Sequence, residues 1–221
     1  MSRDRDAARD RDEALALAPA LRSHIREFET YEALLRKWQK STNLVAAGTL
    51  PHLWTRHFAD SAQILDAFPN IDAVSKIETW ADLGAGAGFP GMVLAICLKD
   101  RPGARVHLIE SDQRKVSFLR AVSRETGAAA EIHLGRIESI LPSLEDRVVG
   151  VTARALAPLS QLVDWSRELL LKNAVGVFLK GEDWAAELTD SRAADSFDIR
   201  TFASRTHSSG RIIAIARDFG V

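Results

Sequence analysis

Residues 80–91 read WADLGAGAGFPG: a short apolar run interrupted by an acidic residue, then four glycines within eight positions. Glycine lets a backbone turn tightly and lets a ligand approach without meeting a Cβ. Pro90 suits the first turn of a following helix, whose free N–H groups would face that ligand. Farther on, HLIESD places Glu110 at the end of the next apolar run, 22 residues beyond Gly88. A carboxylate there can accept from both ribose hydroxyls of an adenosine. The chemistry on offer is the binding of an adenosine-containing cofactor. Arg154, in TARALAPL, is a second candidate, because a guanidinium holds a planar acceptor or a phosphate with a bidentate fork. Its bland alternative is an ion pair at a strand end.

These groups need regular elements to position them. Strand-like runs at about 78–83, 104–110, 130–134, 147–153 and 174–180 alternate with helical patterns at about 90–99, 112–126, 159–171 and 182–193. Such alternation predicts a mostly parallel sheet with helices on both faces, an α/β Rossmann-like architecture. FDIRTFASRTH and RIIAIARDF, joined through SSG with no helix between, predict a closing antiparallel hairpin. Residues 77–221 form the sheet domain on this reading, and residues 14–76 a helical N-terminal cap. Within the cap, apolar positions at helical spacing run from about 14 to 40. A second helix is expected from near Pro51 to Phe68, ended by Pro69-Asn70. Residues 1–13 alternate Arg and Asp without an apolar stripe and read as a disordered, solvated start.

Composition narrows the function classes. The 221 residues are 46% hydrophobic and 27% charged, an ordinary balance for a soluble globular chain. MVLAICL, at 92–98, is the longest apolar run and is too short to span a bilayer. The N-terminal segment carries no apolar signal-peptide core, so a cytoplasmic protein is expected. The single cysteine, Cys97, excludes an internal disulfide and a cysteine-rich zinc site; it is expected to be buried and inert. No Cys/His pair or metal cluster presents itself, so no metal is expected, and a monomer is. A net charge of −1 provides no bulk attraction to nucleic acid, so any RNA contact must come from local basic clusters.

Two cofactors fit the turn. From Gly86, GAGFPG matches the nicotinamide fingerprint GxGxxG, which alone is weak. From Asp82, DLGAGAG supplies an acidic residue and glycines at 84, 86 and 88, and resembles the turn of S-adenosylmethionine-dependent methyltransferases, whose sheet also closes with an antiparallel hairpin. NLVAAG (43–48), RHFADS (56–61), SDQRKVSFLR (111–120), TARALAPL (152–159) and Lys180-Gly181, in this order and spacing, resemble the RsmG (GidB) family of bacterial methyltransferases from about residue 30 onward.

The resemblance implies a class I methyltransferase fold, S-adenosyl-L-methionine as cofactor, and methylation of ring nitrogen 7 of a guanine in 16S ribosomal RNA of the small subunit. It also implies cofactor contacts at Gly84 and Phe89, an adenine-flanking pair at Ile137 and Glu138, and a catalytic Arg154 beside cofactor and base. Asp82, Gly86, Gly88 and Glu110 complete the expected cofactor set. The chain departs from the family at Val149, where an acidic residue is common.

Nitrogen 7 carries its own lone pair, so its methylation requires no general base. TARAL, in place of the Asn/Asp-Pro-Pro-aromatic turn of exocyclic-amine methylation, agrees. Arg154 would then hold guanine O6, a phosphate or the cofactor carboxylate, with an open pocket beside its strand for a base taken out of any stack. Arg56, His57, Arg114, Lys115 and Lys180 are candidate RNA contacts, with Arg36, Lys37, Lys40 and Arg136 as further basic groups; each alone fits a solvated face. Trp38, Trp54 and Phe58 read as cap core, with stacking of one of them on RNA as the alternative. His57, Asp60 and Ser61 share the letters of a nucleophilic triad, but their closeness in sequence favours a structural or cofactor-edge role over acyl transfer. Three rivals remain: a methyltransferase for a small molecule or protein, a nicotinamide-dependent oxidoreductase, and a non-catalytic RNA-binding assembly factor.

Overall fold

The computed structural model describes residues 2–66 and 77–219. The charged start, expected to be disordered, is helical: α1 spans Ser2–Leu17. Its Asp10 is buried and accepts from the Trp54 and Thr55 backbone N–H groups at 2.9 and 3.2 Å, while Ala14 and Ala18 enter the core. Pro19 breaks the helix expected over 14–40: a 3₁₀ segment, Pro19–His24, leads into α2, Ile25–Trp38. The helix expected from Pro51 divides into a 3₁₀ turn (Ala47–His52), a π-helical turn (Trp54–Ala59) and α3 (Asp60–Asp66). Its expected end at Phe68–Asn70 lies outside the described residues.

The sheet follows the expected order. β1 (Thr79–Leu83), β2 (Arg105–Glu110), β3 (Ala130–Leu134), β4 (Gly150–Arg154) and β5 (Val175–Lys180) are parallel. β6 (Asp198–Ala203) and β7 (Arg211–Ala216) form the closing hairpin, with β7 antiparallel to β5. Across the sheet the order is β3-β2-β1-β4-β5-β7-β6. The intervening helices are α4 (Gly91–Cys97), α5 (Gln113–Thr126), α6 (Ile137–Ile140), α7 (Leu159–Leu171) and α8 (Trp184–Ser191). Asp112 caps α5 by accepting from the Arg114 and Lys115 N–H groups at 2.7 and 3.1 Å, and Gly127 closes it with φ +65°.

Both sheet faces are buried. On one, the cap, α4 and α5 share a core with Val106, Leu108 and Val177. On the other, α6, α7 and α8 cover Ala81, Leu83, Val151 and Phe178. Phe28, Tyr31, Trp54 and Phe58 interlock at centroid distances of 5.1–6.1 Å and make the cap continuous with Phe89 and Phe118, so Trp54 and Phe58 are core. Cys97 is only half-buried.

Register decides where the functional residues meet. β1 pairs Leu83 with Ile109 of β2 and Asp82 with Thr152 of β4, which brings Gly84, Glu110 and Arg154 level at the carboxyl ends of adjacent strands. Chain connections diverge there, β1 leading to β2 on one side and β4 leading to β5 on the other, and open sheets bind ligands at such a switch point. Among the described residues no helix is long and apolar enough to cross a membrane.

Candidate active site

The glycines of the β1–α4 turn serve different ends. Gly84, Gly86 and Gly88 all have positive φ, at +61°, +57° and +93°. A Cβ at Gly84 would lie 2.4 Å from Leu156 Cδ1, and one at Gly88 would lie 2.5 Å from the Tyr31 hydroxyl oxygen, so these two are bare for packing. At Gly86 it would meet only the Gly84 carbonyl oxygen, at 3.8 Å. Gly86 is therefore the glycine that keeps a surface open to a ligand. Tyr31 donates to the Ala87 carbonyl and ties the turn to α2.

This turn forms one wall of a cavity of about 400 Å³ whose other walls include Glu110, Lys115, Arg136, Ile137, Glu138 and Arg154. Glu110 Oε2 accepts from the Gly86 N–H at 2.8 Å and Oε1 from the Asp112 N–H at 2.8 Å. The carboxylate is thereby fixed at the cavity wall, with lone pairs remaining on both oxygens. Asp82 does not line this cavity. It is fully buried and accepts from the Gly91 N–H at 2.9 Å, so that helix N–H is directed at Asp82 and not at a ligand. Burial, only partly offset by the Gly91 bond and Arg154, pushes its carboxyl up to about 7.

Beyond Arg154 lies a second cavity of about 360 Å³, walled by Arg56, Asp60 and Gln63 of the cap, Lys180 of β5, and Ser204, Thr206 and Arg211 of the hairpin. His57, Arg154 and Ala155 line both cavities and form the partition between them. The Arg154 guanidinium carbon is 5.0 Å from the Phe89 ring centroid. Its Nη1 donates to Asp60 Oδ2 at 3.0 Å and to the Arg56 carbonyl at 3.1 Å. Its Nη2 lies 2.8 Å from His57 Nδ1. Arginine has only donors, so Nδ1 accepts, the His57 proton sits on Nε2, and it is directed to Thr49 Oγ1 at 2.7 Å. Burial, reinforced by the charges of Arg154 and Arg56, pushes His57 down to about 3. The imidazole, stacked at 4.8 Å on Phe89, is a neutral positioning group without a free lone pair.

Asp60 is the hub of this partition. Besides Arg154 it accepts from Thr206 at 2.5 Å and Gln63 at 3.0 Å, joining cap, β4 and hairpin. The sequence suggests a structural or cofactor-edge role for Asp60 and does not single out Gln63 and Thr206, which no local pattern relates to one another. Ser61 is fully buried with its hydroxyl unpartnered, so the triad letters form no triad.

The candidate RNA contacts separate. Arg56 is exposed at the second cavity, and Lys115 and Arg136 flank the first. Arg114 is exposed but lines neither of these two cavities. The Lys180 side chain is only 8% exposed, with its ammonium 2.6 Å from Glu187 and 2.9 Å from the Ala157 carbonyl. Lys180 therefore shapes the second cavity from below. Trp165, unforeseen from sequence, lines the first cavity and donates to Glu138 at 3.0 Å.

Solved structures share this architecture. A methyltransferase from Geobacter sulfurreducens is 14% identical, with a TM-score of 0.57 over 87% of this chain and 89% of that one. An O-methyltransferase, TomG from Streptomyces achromogenes, in complex with SAM, is 18% identical with a TM-score of 0.51 over 73% and 89%. At these identities the likeness shows the fold. Sequence relatives are much nearer. Ribosomal RNA small subunit methyltransferase G of Bradyrhizobium sp. (strain ORS 278) is 48% identical over 95% of this chain and 92% of its own length. The protein of the same name from Parvibaculum lavamentivorans is 45% identical over 93% and 88%. Residues 24–211, which carry the glycine turn, the partition and the hairpin wall, match the family model for rRNA small subunit methyltransferase G, and the chain belongs to that family.

Proposed function

We propose that this protein transfers the methyl group of S-adenosylmethionine to ring nitrogen 7 of a guanine in 16S ribosomal RNA of the small ribosomal subunit. The observation that carries the reading is the partition: Arg154 and His57 stand between a glycine-turn cavity and a second, polar cavity at the switch point. The residues present fit the cofactor. Gly86 leaves the backbone bare, Glu110 keeps lone pairs for the ribose hydroxyls, and Ile137 and Glu138 offer an apolar face and an acceptor to the adenine. When bound, this cofactor supplies an electrophilic sulfonium methyl group.

The chain's own residues then orient and do not abstract. His57 has both ring nitrogens engaged and is neutral, and both Asp60 oxygens are committed to Arg154, Thr206 and Gln63, so neither group is placed to act as a general base. Guanine nitrogen 7 requires none. Arg154, held by Asp60, His57 and the Arg56 carbonyl, keeps further N–H groups for guanine O6 or the flanking phosphate. Holding two reactants in line contributes about 7–11 kcal/mol of rate enhancement without chemistry from the protein. Arg56, Lys115 and Arg136 at the cavity walls supply local positive charge for the RNA backbone. The reading implies a cytoplasmic location, where the subunit resides.

The test is transfer of labelled methyl from S-adenosylmethionine to small subunits from a strain without this gene, with parent subunits as the methylated control. Label should enter 16S RNA of the former alone and digest to 7-methylguanosine. Label in another nucleoside, or in protein, would overturn the target.

A further inference from the structure

We infer that His107, Glu131 and His133 form a binding site for a divalent transition-metal ion of the zinc class at the β2–β3 edge of the sheet. The sequence reading found no metal-ligand spacing, because two of these donors sit on one strand and the third on its neighbour. Register brings them together: His107 of β2 pairs with Glu131 of β3, and His133, two residues on, returns to the same face.

His107 Nδ1 and His133 Nε2 face each other at 3.0 Å. The Glu131 carboxylate reaches both, with Oε2 3.6 Å from His107 Nδ1 and Oε1 3.7 Å from His133 Nε2. Zinc bonds imidazole nitrogen and carboxylate oxygen at about 2.0–2.2 Å, so tetrahedral ligands stand about 3.3 Å apart. The three separations bracket that value. Two imidazoles and a carboxylate suit zinc, cobalt or nickel over magnesium or calcium, which prefer oxygen alone. The side chains grade from 1% exposed at His107 through 19% at His133 to 41% at Glu131, a buried floor with an open mouth. Burial lowers the affinity of both imidazoles for protons and so favours the neutral form that ligates.

A plain His–His hydrogen bond is the competing account. It engages the same His107 nitrogen that an ion would, with Nε2 buried and unpartnered in either case, so metal titration decides between the two. The competing cation is Arg147, whose Nη2 is 3.5 Å from Glu131 Oε2 on a side chain 56% exposed. An incoming ion displaces that contact, so Arg147 tunes affinity without serving as a ligand. β3 continues into Gly135–Glu138, part of the first cavity's wall, and an ion here would tie that wall's strand to β2.

The experiment titrates the chelator-stripped, untagged full chain with Co²⁺ followed by visible absorption, and with Zn²⁺ followed by calorimetry. Wild type should bind one ion per chain with tetrahedral cobalt bands. Glu131→Gln and His133→Gln, checked for native circular dichroism, should each weaken binding more than tenfold. Arg147→Gln should tighten it. Absence of cobalt bands and zinc heat in wild type would overturn the site, as would equal binding in the two ligand variants. Glu131 is the most exposed donor, so its variant carries the test even if a histidine variant fails to fold.

Discussion

Replacing Asp60 by Asn tests the partition at its hub. Asp60 Oδ2 accepts from Arg154 at 3.0 Å, and Oδ1 accepts from Thr206 at 2.5 Å and Gln63 at 3.0 Å. An amide has one acceptor and one NH₂. Whichever way it turns, the NH₂ meets a donor: Arg154 in one orientation, Gln63 in the other. The ion pair is also lost at side chains 17% and 18% exposed, where solvent screens little. A hydrogen bond to a charged group is worth about 1.5–3 kcal/mol. A chain of this length loses about 2–4 °C of Tm per kcal/mol, so melting should fall by roughly 3–12 °C. A loosened Arg154 forfeits part of that same energy in the transition state, and each ~1.4 kcal/mol is tenfold in rate. We expect kcat for methyl transfer to unmethylated small subunits to fall about ten- to a hundredfold. S-adenosylmethionine affinity should hold within about threefold, since Gly86 and Glu110 are untouched. The assays are thermal melting, cofactor calorimetry and single-turnover transfer. Wild-type kcat in a variant that melts lower would refute the claim that Asp60 positions Arg154.

Gly86→Ala should weaken cofactor binding at least tenfold by calorimetry, because its Cβ enters the cavity, and should lower stability by about 1–2 kcal/mol for φ near +57°. Lys180→Met should lower thermal stability by about 1–3 kcal/mol, because Glu187 and the Ala157 carbonyl lose their buried partner, with less effect on RNA affinity than Arg56→Ala. Stability of the ligand-free protein should carry two opposed pH slopes. His57, pushed from 6.5 down to about 3, stabilises fully above 6.5 and loses that contribution as pH falls towards 3. Asp82, raised from 3.8 to about 7, stabilises below 3.8 and loses that contribution as pH rises through 7. Melting curves of His57→Gln and Asp82→Asn across this range should each remove one slope; unchanged profiles would refute the assignments.

Much of the sheet was legible because parallel strands buried on both faces are nearly continuous apolar runs. Residues 175–180, VGVFLK, carry that signature, whereas 105–110, RVHLIE, are buried over most of their length with three polar or charged residues among the six. The glycine turn was legible because φ near +60° leaves few residue choices. The charged start misled because Asp10 and Ala14 matter through a cap and a close approach, neither of which raises hydrophobicity. The cap's interruptions were missed except where Pro19 marks one. Asp82, His57 and Lys180 had the right neighbourhood but the wrong exposure: a motif gives the letter, while burial comes from elements far along the chain. Asp60, Gln63 and Thr206 meet only through tertiary packing, as do His107, Glu131 and His133.

The hub also dictates when activity arrives. Its contacts span 94 positions to Arg154 and 146 to Thr206, and the Arg154–His57 contact spans 97. Each requires a long loop to close, which slows pairing. Helices of the cap and the contiguous β1–β3 unit can form early from near neighbours, whereas the partition exists only once the last hairpin has docked on both. During refolding from denaturant, far-ultraviolet ellipticity should therefore recover before turnover does. Recovery of ellipticity and turnover in one shared phase would refute this order, in which the chemistry is the last property acquired.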